Sequence, residues 1–267
     1  MKILLVLPND SLGGAEQYLK MIASYYNEHE VSIFFLKNNK TRQWEDLKST
    51  TKQRYLSNTH ELLGVLRFVF IMLFCTKKFD YSFTSHVKTN AFIDILRQLG
   101  IVKSKFHIAR ESTSIFLRYK GLKLKYYKIL YAIGYKKVDL IICQTDVMKN
   151  QFIKFNPKIS KSTKLEVIPN PIDLKTIQIK SQEESGVYDF DYIVSAGRLI
   201  PEKGFDVLIQ AFKSIRENNP KLNLVLLGSG NELENLKSLA TNLNLIDQVV
   251  FAGYSDNVYK HFNAYSI

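Results

Sequence analysis

Short apolar runs alternate with amphipathic segments of helix length along the whole chain, and this alternation constrains the fold more than any other feature. Residues 2–7, 31–36, 81–85, 106–109, 139–143 and 165–168 read as strands, and 15–27, 59–75, 89–99, 115–135 and 146–155 as helices. The stretch 37–58 is expected to hold a short helix and a strand. Strands this short and this rich in Val, Ile and Leu, set between helices, are the pattern of a parallel sheet covered on both faces. The polar, aperiodic stretch 173–189 reads as a linker. The alternation then restarts with strands at 192–196, 223–227 and 249–252 and helices at 205–216, 232–242 and 256–264. The expectation is an α/β protein of two parallel-sheet domains, 1–174 and 175–267. A sheet of this kind usually has about five or six strands, so the second is expected to be unfinished.

Composition narrows the function classes. Cys75 and Cys143 both sit in apolar runs, which suits buried thiols in a reducing compartment rather than a disulfide frame. The first apolar run is cut short at Pro8-Asn9-Asp10, too early for a signal-peptide core. The longest apolar stretch, Leu62 to Phe74, carries Arg67 and falls short of the roughly 20 residues a membrane-spanning helix needs. It reads as a core helix, with a membrane-facing helix as the alternative. The net charge of +12 is uneven: 29 Lys and Arg face 14 Asp and Glu up to Ile177, and 8 face 11 beyond it. The basic excess is densest from Arg118 to Lys137, where Lys120, Lys123, Lys125 and Lys128 interleave with tyrosines and aliphatic residues. Such a segment suits an anionic membrane surface; a solvated helix face is the plainer alternative. No nucleic-acid recognition motif accompanies the charge, so nucleic acid is not an expected partner.

Small and cationic residues gather where strands end. Gly13-Gly14 follow the first strand and open a helix, where free N–H groups can meet an anion. Gly197-Arg198-Leu199-Ile200-Pro201-Glu202-Lys203-Gly204 runs from a strand end into a helix. Arg198 and Lys203 therefore leave the carboxyl end of a strand together, where open α/β sheets bind ligands, and two cations there make a diphosphate clamp. Gly228 and Gly230, about Ser229, would let a nucleotide lie against the backbone, and Gly253-Tyr254 closes the third strand at the same level. His86 and Arg110-Glu111 also end strands and are expected to face a cleft, where His86 or Glu111 could position an acceptor hydroxyl or take its proton. No metal-ligand spacing is found.

The chain resembles the family-4 glycosyltransferases, retaining enzymes of the GT-B fold. The resemblance is carried by Leu12-Gly13-Gly14-Ala15-Glu16, by Val167-Ile168-Pro169-Asn170-Pro171-Ile172-Asp173, and by Gly197-Arg198-Leu199 with Lys203 to Phe212. Leu226-Leu227-Gly228-Ser229-Gly230 and Val249 to Tyr254 follow in the family's order. It implies a nucleotide-sugar donor held as co-substrate between two Rossmann-like domains, with no metal and no further cofactor. Arg198 and Lys203 match the family's diphosphate-binding pair, Gly14 the first-domain loop that approaches the same diphosphate, and Gly253 and Tyr254 the nucleobase position.

The expected activity is transfer to a glycan or lipid-linked acceptor in cell-surface polysaccharide synthesis, by a cytoplasmic protein whose basic first domain rests on the inner membrane face. The family's two sugar-contacting glutamates, eight residues apart, lie in a segment later than Ile267. The expectation from this stretch alone is therefore an incomplete second domain that associates through its unfinished sheet and lacks turnover. Two rival readings are a non-catalytic module that docks on a membrane or a partner, and a nucleotide-sugar epimerase of the same architecture.

Overall fold

The computed structural model describes residues 1–47, 51–183 and 188–263. The chain divides into two compact units, Met1–Pro171 and Ile172–Ile267.

Among the described residues, the first unit is built on seven strands: β1 (Lys2–Asn9), β2 (Glu30–Lys37), β3 (Thr51–Tyr55), β4 (Phe79–Ser85), β5 (Ser104–Arg110), β6 (Leu140–Cys143) and β7 (Lys164–Val167). They pair in parallel in the order β3-β2-β1-β4-β5-β6-β7. Its helices are α1 (Gly14–Tyr25), α2 (Glu61–Leu73), α3 (Val87–Gln98), α4 (Ile115–Arg118), α5 (Gly121–Gly134), α6 (Asp146–Phe155) and α7 (Pro157–Ser162). Side chains alternate across a strand, so the unbroken apolar run of β1 supplies two cores. Leu4 and Val6 pack with Phe68 and Met72 of α2 and Ile93 and Leu96 of α3. Ile3, Leu5 and Leu7 pack with Leu19 and Ala23 of α1 and with Trp44 on the opposite face. A third core joins α3, α5 and α6 over β5 and β6, and includes the free thiol of Cys143.

Three expectations change in this unit. The apolar helix α2 is not a core helix all round. It buries Gly64, Phe68 and Met72, while Leu62, Leu66, Phe70, Leu73 and the following Phe74 are each more than half exposed. Gly64 allows this one-sided seating: a Cβ there would lie 1.7 Å from the carbonyl oxygen of Leu36 in β2. The expected single helix over 115–135 is two helices. Tyr119 and Lys120 are extended between them, and α5 starts at Gly121 with φ of 57°. Arg110 and Glu111 do not face open space, for both are buried. The Arg110 guanidinium lies over the Tyr18 ring at 4.4 Å and donates to Ser85 Oγ at 3.3 Å and to Asn170 Oδ1. Glu111 accepts hydrogen bonds of 2.6 Å from the hydroxyls of both Tyr131 and Tyr135. Asn90 Nδ2 bridges to Tyr135 at 2.9 Å and to the Arg110 carbonyl at 3.1 Å. Burial raises the Glu111 carboxyl above its ordinary value, against the lowering by its hydrogen bonds from Tyr131, Tyr135 and Asn90. The same burial, with Glu111 close by, pushes the Cys143 thiol up to about 12.

In the second unit, β8 (Tyr192–Ala196), β9 (Asn223–Leu227) and β10 (Val249–Gly253) form a parallel sheet in the order β10-β9-β8. Helices α9 (Phe205–Asn218) and α10 (Leu233–Asn242) cover one face, with Ile209, Phe212, Leu236 and Ala240 over Leu224 and Leu226. The expected linker at 173–189 is a helix in its first half. Asp173 caps α8 (Leu174–Ser181) by accepting from the Thr176 N–H at 3.0 Å. None of its residues is buried, which is why it carries no apolar period. Asn257, just ahead of α11 (Tyr259–Asn263), donates to the Lys180 carbonyl at 2.8 Å and ties the two helices together. The last residue of the expected helix over 256–264, Ala264, and Tyr265 after it lie outside the described residues. Among the described residues no helix is long and apolar enough to cross a membrane.

Two stability outcomes follow from the close packing of the first unit. Gly64→Ala forces α2 off β2 and lowers stability by about 1–3 kcal/mol, the usual cost of overpacking, read as a lower denaturant midpoint. Glu111→Ala strands two tyrosine hydroxyls and the Asn90 amide, and costs about 2–4 kcal/mol. Because the folded state raises the Glu111 carboxyl, its contribution is fully present below the ordinary value of 4.5 and is lost as pH rises through the folded value. Glu111→Gln removes that loss. Its midpoint should therefore fall less than the wild type's as pH rises above the ordinary carboxylate range, and an identical pH profile for the two proteins would contradict the assignment.

Candidate functional site

In the first sheet β1 lies between β2 and β4, so the crossover direction reverses between β1 and β4. The connections after those two strands diverge there, and that gap at the carboxyl ends is where open α/β sheets bind ligands. The β1 connection brings Gly13 and Gly14, the β4 connection His86, and the neighbouring β5 connection Ser112.

These residues form one hydrogen-bonded chain. Glu16, in the first turn of α1, accepts the Gly13 N–H on Oε2 at 3.1 Å. Its Oε1 is 2.7 Å from His86 Nε2, and His86 Nδ1 is 2.9 Å from Ser112 Oγ. Burial alone would raise the Glu16 carboxyl, but the hydrogen bonds from His86 and from main-chain N–H groups outweigh it and hold it below its ordinary value. His86 has φ of 81°, a left-handed conformation uncommon outside glycine. It precedes α3 and its carbonyl accepts the Asn90 N–H at 2.9 Å, so helix and hydrogen bonds together fix the imidazole. A Cβ on Gly14 would meet nothing within 4 Å, so that helix entrance is open. Glu111, one residue before Ser112, belongs to the buried tyrosine network and points away from solvent. Glu16 and Ser112 are not singled out by sequence reasoning as site residues, since their meeting with His86 depends on strand order.

In the second unit the three parallel strands end at one edge, and their connections are joined by main-chain hydrogen bonds. The Gly197 N–H donates to the Leu227 carbonyl at 2.9 Å, Leu199 N–H to Ser229 at 2.9 Å, and Gly228 N–H to Gly253 at 2.6 Å. A Cβ on Gly228 would sit 1.8 Å from the Gly197 carbonyl oxygen, and one on Gly230 would sit 2.1 Å from that of Leu199. The space at these two glycines, expected to be ligand space, is filled by the neighbouring connection. Their role in this unit is to seat the Gly197–Leu199 segment against β9. That segment presents Arg198, and the short 3-10 turn Pro201–Lys203 presents Lys203. Both cations are exposed, and among the described residues neither side chain has an acidic partner. Gly204, left-handed with φ of 65°, turns the chain into α9, whose first N–H groups no side chain caps. Gly253 is left-handed with open space around its missing side chain, and Tyr254 beside it is two-thirds exposed. In the first unit, the lysines at 120, 123, 125 and 128 are all exposed around α5.

Comparison with known proteins fits this architecture. The family model described as Glycosyltransferase Family 4 matches residues 12–176, and that described as Glycosyl transferases group 1 matches 178–267. An uncharacterised glycosyltransferase of Methanocaldococcus jannaschii is 28% identical over 78% of this chain and 51% of its own length. An N-acetylgalactosamine-N,N'-diacetylbacillosaminyl-diphospho-undecaprenol 4-alpha-N-acetylgalactosaminyltransferase of Campylobacter jejuni is 33% identical over 50% of this chain and 35% of its own. The chain thus spans about half or less of these curated relatives. Among solved structures, Anabaena HepE in complex with UDP and glucose superposes with a TM-score of 0.77 at 19% identity, covering 99% of this chain and 72% of that one. The chain belongs to glycosyltransferase family 4 and has the GT-B fold.

Proposed function

We propose that the protein transfers a sugar, with retention of configuration, from a nucleoside-diphosphate sugar to a glycan or lipid-linked acceptor in cell-surface polysaccharide synthesis. One observation carries this reading: Arg198 and Lys203 stand exposed and, among the described residues, without acidic partners at the carboxyl edge of the second sheet, beside the uncapped start of α9. Two cations without carboxylate partners, next to free main-chain N–H groups, suit a diphosphate. They would also stabilise the diphosphate as it leaves, where charge grows as the glycosidic bond breaks. Gly253 and Tyr254 are the proposed nucleobase contacts, Gly228 and Gly230 the support of the clamp, and Gly13 and Gly14 the proposed donor contacts of the first unit. The His86–Ser112 pair is the proposed sugar side of the site, and Glu111 the buried support of the strand end that carries Ser112. The Campylobacter relative acts, by its name, on a diphospho-undecaprenol-linked sugar, which supports a lipid-linked acceptor. HepE was solved with UDP and glucose, which supports a UDP-sugar donor.

The same reading puts the first unit on the inner, cytoplasmic face of a membrane. Helices α2, α3 and α5 share one face of the first sheet, for α3 packs with α2 in one core and with α5 in the next. The exposed apolar residues of α2 and the exposed lysines of α5 therefore flank α3 on a common side. Apolar insertion combined with lysine attraction to anionic headgroups is how a peripheral protein binds a bilayer. A second copy of the protein is the partner proposed for the edge strands β8 and β10, each of which has one unpaired side among the described residues.

Isothermal calorimetry with UDP or GDP tests the clamp. Arg198→Ala and Lys203→Ala should each weaken binding by about tenfold to a hundredfold; unchanged affinity in both variants removes them from the site. Liposome sedimentation tests the membrane face. Vesicles containing phosphatidylglycerol should bind the protein, less so as salt rises through the physiological range, and the triple variant Lys123→Gln, Lys125→Gln, Lys128→Gln should stay in solution. Equal binding to neutral vesicles would contradict the electrostatic part of this account.

A further inference from the structure

Both ring nitrogens of His86 are already in use. Nε2 is 2.7 Å from Glu16 Oε1 and Nδ1 is 2.9 Å from Ser112 Oγ. An ionised carboxylate only accepts hydrogen bonds. Glu16 is buried, and its second oxygen already accepts the Gly13 N–H. The hydrogen of a neutral imidazole must therefore sit on Nε2, which leaves Nδ1 as an acceptor. Ser112 then donates its only hydroxyl hydrogen to Nδ1. What remains on the half-buried Ser112 oxygen is lone-pair capacity, held in a fixed orientation by a chain of groups from three adjacent strand ends. A ligand hydroxyl arriving here finds no free nitrogen on His86, but it finds an oriented acceptor on Ser112.

We infer that Ser112, rather than His86, is the group this site presents to the transferred sugar, as a hydrogen-bond acceptor for one of its hydroxyls. His86 and Glu16 are positioning residues that fix the direction of that acceptor. The sugar is the ligand of choice because the chain of hydrogen bonds starts at Gly13, a proposed donor contact of the first unit, and the transferred sugar is part of that donor. The class of ligand thus rests on the nucleotide-sugar reading above, whereas the direction of the hydrogen bonds does not.

Two measurements test the inference separately from that reading. Long-range proton–nitrogen correlation spectra of the uniformly 15N-labelled chain, with His86→Gln to assign the ring, should show the hydrogen on Nε2 and a bare Nδ1 near neutral pH. A hydrogen on Nδ1, in the neutral ring or in an imidazolium paired with Glu16, overturns the inference. Calorimetry then compares UDP-glucose, UDP-galactose, UDP-N-acetylgalactosamine and GDP-mannose with UDP and GDP. For the sugar nucleotide that the wild type binds more tightly than its bare diphosphate, Ser112→Ala should shrink that advantage by about tenfold, the worth of one hydrogen bond. It should leave the affinity for the bare diphosphate unchanged, and Ser112→Thr, which keeps the hydroxyl, should restore most of the advantage. An equal sugar advantage in wild type and Ser112→Ala overturns the inference while the nucleotide-sugar reading stands. Failure of the wild type to bind any of these nucleotides overturns the nucleotide-sugar reading, and with it the sugar as the ligand of Ser112.

Discussion

A parallel strand can return to its neighbour only by crossing over one face of the sheet, and nearly everything in this protein depends on that constraint. The crossovers put helices on both faces, so each strand must be apolar on both sides. They also bring every strand's carboxyl end to the same edge. In the first unit the direction of crossing reverses between β1 and β4, and the connections there part to leave a gap. Glu16 and His86 are 70 residues apart in sequence and 2.7 Å apart in space for this reason alone. In the second unit the same rule brings the ends of β8, β9 and β10 into one plane, where main-chain hydrogen bonds between connections hold Arg198 and Lys203 outward.

How much of this was legible in the sequence follows from which forces are local. Apart from the polar edge strand β3, the strands of both sheets could be read because two-sided burial writes an apolar run into them. The cationic pair at 198 and 203 could be read because strand, loop and helix follow one another without a gap. The half of 173–189 that folds as α8 could not, since a helix held by one aspartate cap and an Asn257 contact shows no apolar face. The two-sided character of α2 could not either. Its residues are apolar nearly all round, and only the approach of Gly64 to the Leu36 carbonyl shows which side is buried.

The glycines show the same limit from the other side. Gly228 and Gly230 read as room for a ligand, yet the space belongs to the backbone of Gly197 and Leu199. The neighbouring loop takes that space, and loop-to-loop distances are invisible in one dimension. Glu111 is a related case. Its place at a strand end suggested a ligand-facing acid, but Tyr131 and Tyr135 reach back from α5 and enclose it. Ser112, the next residue, takes the outward position instead.

The central claim is that the carboxyl edge of the second sheet holds the diphosphate of a nucleotide sugar. Backbone amide NMR during titration with UDP addresses it without any substitution. The account predicts that the largest shift changes fall on Gly197 to Gly204, with a second group at Gly253 and Tyr254, and that these saturate together. Shift changes confined to the opposite edge of that sheet, or none at millimolar UDP and GDP, would contradict it.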